Sequence, residues 1–311
     1  MTANILFTLG TRGSPLALAQ AHEAAGLLAA AHGWDPAAIA IEVIRTTGDL
    51  IQDRPLAEAG GKGLFTKEID AALIEGRIDA AVHSAKDLPT QLPPEVTIAG
   101  FLEREDVRDA FISSVADSFA ELPSGARLGA ASLRRQAQAR RLRPDLRVEL
   151  LRGNVETRLR KAESGAIDAT LLALAGLKRL GLAHRARAPL DLEHFLPAAG
   201  QGAIAITARG ADAQALTALA AIGHADTMIA VTAERAFLAE LEGSCRTPIA
   251  GHARLEGGGL LLVGQVLRED GSEAFDVRLS GAPDEAARLG AEAGRELAAR
   301  LPPGILPRRG G

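Results

Sequence analysis

The sequence is poor in several residues on which whole functional classes depend. Its 311 residues include one cysteine, one tryptophan and no tyrosine. A single cysteine excludes an intrachain disulfide and a zinc cluster built on thiolates. Because aromatic residues make up only 3% of the chain, a surface on which nucleic-acid bases stack is disfavoured. The histidines and carboxylates also lack the spacing of a metal site, so we expect no bound metal.

Long apolar runs and an excess of positive charge are also missing. No apolar run approaches the roughly 20 residues that a membrane-spanning helix needs. The N-terminus shows no charged segment followed by an apolar one. The formal net charge of −4 provides no basic field that would attract nucleic acid or a membrane. We therefore expect a cytoplasmic protein that binds neither.

Strands and helices alternate in the first third of the chain. Strands are expected at residues 5–9 and 41–45. Ser14 and Pro15 predict a helix start, because serine caps the free N–H groups and proline fits the first turn. A second helix is expected from Thr66 to Glu75, closed by a glycine. This alternation predicts a parallel α/β sheet.

The same alternation restarts after the charged residues 103–106. The expected strands lie near residues 110–113, 148–151 and 169–172. Ser132 and Asn154 are good caps for two further helices. Residues 75–81 are echoed in residues 163–169, which supports a duplicated plan. A strand at residues 203–207 could return to the first sheet.

The pattern changes after about residue 225. Helices are expected at residues 229–241 and 283–301, and short strands at residues 249–254, 260–267 and 274–279. Strands that are grouped together and flanked by helices are typical of a small α+β domain.

One apolar strand, starting at Ile78, runs directly into His83, Lys86 and Asp87. Ligand groups in open α/β sheets gather at the carboxyl ends of strands, so these residues are candidates for chemistry. Asp87 could equally be a polar turn residue. His83 is more typical of a hydrogen-bonded structural histidine than of a ligand.

Arginines recur near the starts of the expected helices. They are Arg12, Arg134, Arg135, Arg152 and Arg158. Helix N-termini attract anions, and guanidinium groups match carboxylates or phosphates bidentately. Any one of them could be a solvated surface residue, but the set indicates an anion-binding cleft. The glycine-rich segments 8–13 and 60–63 lack the spacing of nucleotide-binding loops, so carboxylates are the favoured anions.

Cys245 follows an expected helix end, and the adjacent Arg246 would favour its thiolate. A lone cysteine is nevertheless most often a small buried hydrophobic residue. The sequence shows no histidine paired with Cys245, so a hydrolase is disfavoured.

Blocks spread over nearly the whole chain resemble the porphobilinogen deaminase family. The matching blocks are residues 11–20, 47–49, 60–65, 82–87, 103–106, 132–135, 151–155, 175–181 and 200–203. So many blocks in the same order are highly specific. The resemblance implies two duplicated, doubly wound α/β domains similar to type II periplasmic binding proteins, followed by a small C-terminal α+β domain.

The resemblance also places the domain boundaries and their contents. Domain 1, with the catalytic aspartate, is expected to comprise residues 1–102 and 200–220. Domain 2, rich in arginine, is expected to comprise residues 103–199. Domain 3, which carries the cofactor-attachment cysteine, is expected to comprise residues 221–311.

The activity implied by the resemblance is a transferase reaction of tetrapyrrole (haem) biosynthesis. Four porphobilinogens are joined head to tail with loss of ammonia at each step, and hydrolysis then releases hydroxymethylbilane. The chain grows on a dipyrromethane cofactor that a cysteine holds by a thioether, and Cys245 occupies that position. The resemblance further suggests a monomer.

Residue roles can be carried over position by position. Asp87 matches the catalytic aspartate, which would stabilise a cationic methylene-pyrrole and mediate proton transfer. The resemblance assigns cofactor binding to Ser84, Lys86, Asp87, Ser132, Arg134 and Arg135. It assigns substrate binding to Arg12, Ser14, Arg152, Arg158, Arg179 and Gln201. Each pyrrole carries two carboxylates, so six linked rings bring roughly twelve, which need many cationic donors.

Three departures from the family pattern stand out. Ala130-Ala131 replaces a common Thr-Ser, which removes two hydroxyl contacts to the cofactor. Ser244 replaces a glycine, which puts a positive φ there in doubt. Arg246 and Thr247 stand where less charged residues are frequent. None of these changes removes a residue that the chemistry requires.

A binding module is the competing function. Two α/β lobes with arginines could form a receptor or a cytosolic sensor for small anions. Such a protein would need neither Cys245 nor a third domain.

Overall fold

Three separate β-sheets organise the part of the protein that the structure describes. A computed structural model describes residues 4–50, 63–241 and 247–306. The strands in these ranges are β1 (Phe7–Thr11), β2 (Ile39–Val43), β3 (Ala80–Ser84), β4 (Val96–Phe101), β5 (Asp109–Ser113), β6 (Arg127–Gly129), β7 (Arg147–Glu149), β8 (Ala169–Ala173), β9 (Ala188–Pro189), β10 (Ile204–Arg209), β11 (Ile249–Glu256), β12 (Gly259–Leu267) and β13 (Ala274–Gly281). The helices are α1 (Pro15–His32), α2 (Thr47–Leu50), α3 (Lys67–Ile74), α4 (Leu133–Leu142), α5 (Val155–Glu163), α6 (Leu174–Arg179), α7 (Ala213–Ala220), α8 (Ala225–Glu240) and α9 (Ala286–Arg300).

The first sheet has the strand order β2-β1-β3-β10-β4. Strand β1 is parallel to β2 and β3, whereas β10 is antiparallel to both β3 and β4. The return of the strand expected at residues 203–207 is therefore confirmed. The expected parallel arrangement is confirmed for β1, β2 and β3, but the antiparallel β10 makes the sheet mixed. Two neighbouring strands can be parallel only if a crossover connection returns the chain to the end of the sheet at which the first strand began. Strand β10 instead follows the segment that builds the second sheet.

The second sheet repeats this plan. Its order is β7-β6-β8-β5-β9, with β6 parallel to β7 and β8, and β5 antiparallel to β8 and β9. Position by position, both the order and the strand directions match the first sheet. The duplication that a short sequence echo indicated is thus confirmed at the level of topology.

Helices cover both faces of the first two sheets. On the first sheet, Val82 packs in a cluster with α1 and α7, while its neighbour Ala81 packs with α3. Successive side chains of a strand point to opposite faces, so the helices lie on both sides. On the second sheet, Leu172 packs with α5 and α6, and Leu171 packs with α4. The doubly wound architecture is confirmed for both sheets.

The third sheet is the antiparallel meander β11-β12-β13, covered by α8 and α9. Phe237 of α8 is fully buried in this core. A Cβ atom at Gly264 would lie 2.4 Å from the Phe237 ring, so this strand position has room only for glycine. The expected small α+β domain is confirmed.

Capping residues explain where several helices begin. The side chains of Ser14, Ser132 and Asn154 each accept a hydrogen bond from a backbone N–H in the first turn, as predicted. Helix α8 begins at Ala225, four residues before the expected start. His224 caps it through Nδ1, which accepts from the Thr227 N–H at 3.3 Å, and histidine is not a typical cap. The short helix α2 was not among the predicted elements.

The described chain divides into two compact units. One contains residues 4–50, 63–105 and 203–228 with the first sheet, and the other contains residues 106–202, 229–241 and 247–306 with the remaining two sheets. Within these residues, no single helix has the length and hydropathy of a membrane-spanning segment. The pair α7 and α8, bent by 115°, passes that test only when taken together.

His83 is a buried part of the first sheet. Its side chain is 6% exposed, and its Nε2 lies 3.2 Å from the Thr207 hydroxyl on the neighbouring strand β10. Burial, with a smaller contribution from the positive charge of Arg12, lowers the pKa of His83 from 6.5 to about 4. The ring is therefore neutral near pH 7, which fits the structural role expected for it.

Acidification is expected to destabilise the fold through His83. The unfolded state takes up this proton near pH 6.5, whereas the folded state takes it up only near pH 4. The free energy of unfolding should therefore be highest above about pH 6.5 and fall by about 3 kcal/mol as the pH drops to about 4. Denaturant unfolding at a series of pH values measures this loss. His83→Gln should flatten the dependence in that window, and an unchanged slope would contradict the assignment.

Candidate functional site

The candidate site of the first unit lies where the parallel strands β1 and β3 end. Arg12 directly follows β1, and the single turn Ala85–Asp87 directly follows β3. A cleft at this edge is lined by Arg12, Ser14, Gln20, Phe65, Ser84 and Asp87, among others. The structure thus brings together residues that are distant in the sequence. They meet at the end of the strand that starts near Ile78, where the sequence predicted a functional site.

Arg12 is held on three sides. Its Nε donates to both carboxylate oxygens of Asp49, at 3.1 and 3.3 Å, and its Nη2 donates to the same carboxylate. Its Cζ lies 4.0 Å from the centroid of the Phe65 ring, within range of a cation–π interaction. Its Nη1 lies 3.8 Å from Oδ2 of Asp87. Arg12 therefore faces Asp87 without being in hydrogen-bond contact with it.

Asp49 remains ionised despite its partial burial. Burial opposes the charged form, but hydrogen bonds from Arg12 and from the Thr46 hydroxyl outweigh it and hold the pKa of Asp49 below its ordinary value. The Thr46 Oγ1 to Asp49 Oδ2 distance is 2.8 Å. Asp49 was not among the predicted site residues, although it stands in the matching block 47–49.

Asp87 is open to solvent, with 35% of its side chain exposed. The neighbouring Ser84 donates through Oγ to Oε1 of the buried Gln20 at 3.0 Å. The Ser14 hydroxyl accepts from the Ala17 N–H at 3.3 Å and so caps α1. Lys86 is half-buried beside Asp87. An accessible carboxylate with a cation nearby is the arrangement that acid–base chemistry requires.

The second unit contains a buried charge cluster around Asp109, the first residue of β5. Asp109 is fully buried, and Arg134 and Arg135 at the start of α4 are 4% and 6% exposed. Oδ2 of Asp109 lies 2.8 Å from Nη2 of Arg134, and Oδ1 lies 2.6 Å from Nη2 of Arg135. Burial opposes the ionised form of Asp109, but the two guanidinium groups outweigh it and hold its pKa well below the ordinary value.

Gln201 completes this cluster. Its Nε2 donates to Oδ1 of Asp109 at 3.0 Å and to the Val107 carbonyl at 2.8 Å. Arg134 also donates to the Leu196 carbonyl at 2.6 Å, while its buried Nε lacks a hydrogen-bond partner among the described residues. The surface alternative considered for the arginines is thus wrong for Arg134 and Arg135. The sequence signal for Asp109 was an acidic residue at the head of an apolar strand.

A turn of the third sheet packs against the opposite half of α4. A Cβ atom on Gly271, whose φ is +77°, would lie 2.7 Å from the Ala137 carbonyl oxygen. Arg140 donates through Nη1 to the Glu269 carbonyl at 2.7 Å. Helix α4 is therefore fixed by the charge cluster at its start and by this turn along its second half.

The remaining predicted arginines are only partly buried. Arg152 and Arg158 flank the start of α5, where Arg158 donates through Nε to the Gly153 carbonyl at 2.8 Å. Arg179 ends α6 and donates through Nη1 to the Gly202 carbonyl at 3.1 Å. Cys245, Ser244 and the segment 60–62 lie outside the described residues. No cluster of three or more potential metal ligands occurs among the residues that are described.

Fold and site together define a class of protein. It has two α/β sheets of the same topology, arginines held in place near helix starts, and an accessible carboxylate at a strand end. Such donors suit a small ligand that carries several carboxylates.

Comparison with known proteins specifies the family. Residues 7–217 match the family model for the dipyrromethane cofactor-binding domain of porphobilinogen deaminase, and residues 228–299 match the model for its C-terminal domain. The porphobilinogen deaminase of Nitrobacter winogradskyi is 58% identical over 96% of this chain and 94% of its own length. That of Nitrobacter hamburgensis is 57% identical over the same shares. The chain belongs to the porphobilinogen deaminase family.

The chain is also similar, at low sequence identity, to solved structures of binding proteins. A nutrient-binding protein from Burkholderia cenocepacia, bound to methionine, has a TM-score of 0.42 and 15% identity, over 69% of this chain and 90% of its own. A periplasmic substrate-binding protein from Coxiella burnetii has a TM-score of 0.44 and 13% identity, over 70% of this chain and 92% of its own.

Family membership establishes the activity at the level of reaction and cofactor. The chain is a transferase that polymerises porphobilinogen in tetrapyrrole biosynthesis and uses a dipyrromethane cofactor. The expectation of an enzyme rather than a binding module is confirmed.

Removing the Asp109 charge is expected to destabilise the second unit. Asp109→Asn leaves two buried guanidinium groups without a counter-charge, which should lower the free energy of unfolding by about 3 kcal/mol. Denaturant unfolding measures the change. Glu285→Gln, which breaks an ion pair on an exposed helix start, serves as the control and should leave the midpoint unchanged. Equal effects of the two variants would refute a stabilising role for the buried cluster.

Proposed function

We propose that Asp87 is the catalytic carboxylate of this porphobilinogen deaminase and that Cys245 carries its cofactor. The observation that carries the first assignment is the exposed Asp87 carboxylate at the end of β3, with Arg12 Nη1 3.8 Å away. The position of Cys245 in the family pattern supports the second assignment.

Asp87 has the properties that this reaction needs. Loss of ammonia from porphobilinogen leaves positive charge on the substrate, and an accessible carboxylate stabilises such charge. The Asp87 oxygens would accept hydrogen bonds from pyrrole N–H groups and take up the proton that ring attack releases. Buried His83 is a poor candidate for this step, because it is only 6% exposed and its neutral ring carries no negative charge that could stabilise the cation.

Ser84, Lys86, Ser132, Arg134 and Arg135 are proposed to hold the cofactor together with Asp87. When bound, the dipyrromethane supplies the free pyrrole position to which the first porphobilinogen is joined. The hydroxyl, ammonium and guanidinium groups of these residues are hydrogen-bond donors of the kind that bind the carboxylates of the cofactor. The two guanidinium groups outnumber the single carboxylate of Asp109 and leave one positive charge in excess. In addition, Arg134 Nε is a donor without a partner among the described residues.

Substrate carboxylates are proposed to bind Arg12, Ser14, Arg152, Arg158 and Arg179. Arg12 and Ser14 line the cleft that contains Asp87, which supports their assignment. Gln201 was assigned to substrate by resemblance. Because its side chain is 1% exposed and donates to Asp109, we propose that Gln201 contributes by holding that carboxylate.

We also propose domain boundaries, a location and an oligomeric state for the enzyme. The three sheets support three domains, with residues 1–102 and 200–220 in the first, 103–199 in the second and 221–311 in the third. The net charge of −4 supports a protein that binds neither nucleic acid nor membrane. We also propose that the enzyme is cytoplasmic. We further propose that the enzyme is a monomer without a bound metal.

The covalent cofactor can be tested by intact-mass measurement. The purified protein should be heavier than its sequence by one dipyrromethane, and Cys245→Ser should lose that increment together with turnover of porphobilinogen. Ser244→Gly, which restores the more usual neighbour, should retain both. A protein that turns over porphobilinogen without added mass would exclude the thioether.

The proposed catalytic role of Asp87 predicts that a variant without this carboxylate folds but turns over porphobilinogen very slowly. Asp87→Ala should retain the cofactor mass and the thermal midpoint of the parent while kcat falls by about 10²-fold or more, the scale for losing a positioned acid or base. Asp117→Ala removes a carboxylate whose side chain is 86% exposed and should leave kcat unchanged. Near-normal turnover of Asp87→Ala would remove Asp87 from the mechanism.

A further inference from the structure

Asp49 has no assigned role, yet it makes the closest contacts to Arg12. Three hydrogen bonds join the Nε and Nη2 edge of the guanidinium to the Asp49 carboxylate. A bidentate contact of this kind fixes both the position and the plane of the guanidinium group. The Phe65 ring, 4.0 Å from Cζ, covers one face of the same group.

Local contacts hold Asp49 itself in place. The Thr46 hydroxyl donates to Oδ2 of Asp49 at 2.8 Å. The Gly48 N–H donates to the Leu64 carbonyl at 2.8 Å. The backbone at Gly48 also lies so close to Phe65 that a Cβ atom there would be 2.4 Å from the ring. The short helix α2 is thus fixed against the residues that follow Gly63, and it carries Asp49 to Arg12.

The charges explain why this contact matters. Arg12 has two carboxylates within reach, Asp49 in direct contact and Asp87 at 3.8 Å from Nη1. A guanidinium group free to rotate would form a closer pair with Asp87, because unscreened opposite charges attract more strongly at shorter distance. Such a pair would engage the same carboxylate and the same cation that the substrate must reach.

We propose that Asp49 is a positioning residue that keeps Arg12 from closing onto Asp87. By occupying the Nε and Nη2 edge, Asp49 leaves Nη1 directed into the cleft for a substrate carboxylate and leaves the oxygens of Asp87 accessible. This inference rests on the proposed roles of Arg12 and Asp87. It adds a residue that acts through Arg12 and does not itself need to contact substrate.

A double-mutant cycle tests the proposal with the full-length enzyme and porphobilinogen. Asp49→Asn should lower kcat/KM by about tenfold, the equivalent of one charge-assisted hydrogen bond. Arg12→Ala should lower kcat/KM at least as much. In the Arg12→Ala background, Asp49→Asn should cost no more than about twofold, because no guanidinium remains to be positioned. Additive losses would overturn the proposal.

Glu68→Ala provides the matched control. The Glu68 carboxylate accepts from the N–H of Thr47 at 3.0 Å, so it also holds α2 but does not contact Arg12. If Asp49 served only to support α2, Glu68→Ala would reproduce the loss seen in Asp49→Asn. We expect Glu68→Ala to retain kcat/KM within about twofold. An equal loss in both variants would overturn the positioning role.

A second variant covers the case in which Asp49→Asn does not fold. Thr46→Val is nearly isosteric and removes only the hydrogen bond to Oδ2 of Asp49. It should lower kcat/KM by about threefold in the parent and leave it unchanged in the Arg12→Ala background. The same loss in both backgrounds would count against the proposal. Failure of the proposed roles of Arg12 and Asp87 would differ, because Arg12→Ala or Asp87→Ala would then retain the kcat/KM of the parent.

Discussion

The pairing of buried guanidinium groups with Asp109 is the interaction on which the second unit depends. Arg134 and Arg135 occupy the first turn of α4 and are almost fully buried, so without a counter-charge their desolvation would oppose folding. Asp109 supplies that charge from the first residue of β5, and Gln201 donates to the same carboxylate. One side chain thus joins a strand, a helix start and the segment that leads back to the first sheet.

The first unit uses the same principle closer to solvent. Arg12 also precedes a helix and is also held by a carboxylate of the protein, in this case Asp49. Each pairing cancels part of the positive charge while fixing the geometry of the donor that remains. An enzyme that binds a chain of carboxylates needs such restraint, because unpaired arginines beside Asp87 would pair with this proposed catalytic carboxylate.

Much of the fold was predictable because local physics determines it. Serine and asparagine caps placed the starts of α1, α4 and α5, and apolar runs placed most strands to within two residues. The differences between the predicted and the observed elements have physical causes. His224 caps α8 although histidine is not a typical cap, and the direction of β10 depends on the path the chain takes through the second sheet. The motif around Asp87 was found because it follows a strong strand.

The sequence by itself determined the family, the two α/β alternations, the helix caps and the candidate residues Asp87, Arg12 and Cys245, since these depend on residue order and local propensity. Only the tertiary structure decided which carboxylate each arginine meets. Asp109 lies 26 positions from Arg135 and Asp49 lies 37 positions from Arg12, so neither pairing has a local signal. The burial that lowers the pKa of His83 and that encloses Asp109 with its two arginines likewise follows from packing between elements remote in the chain.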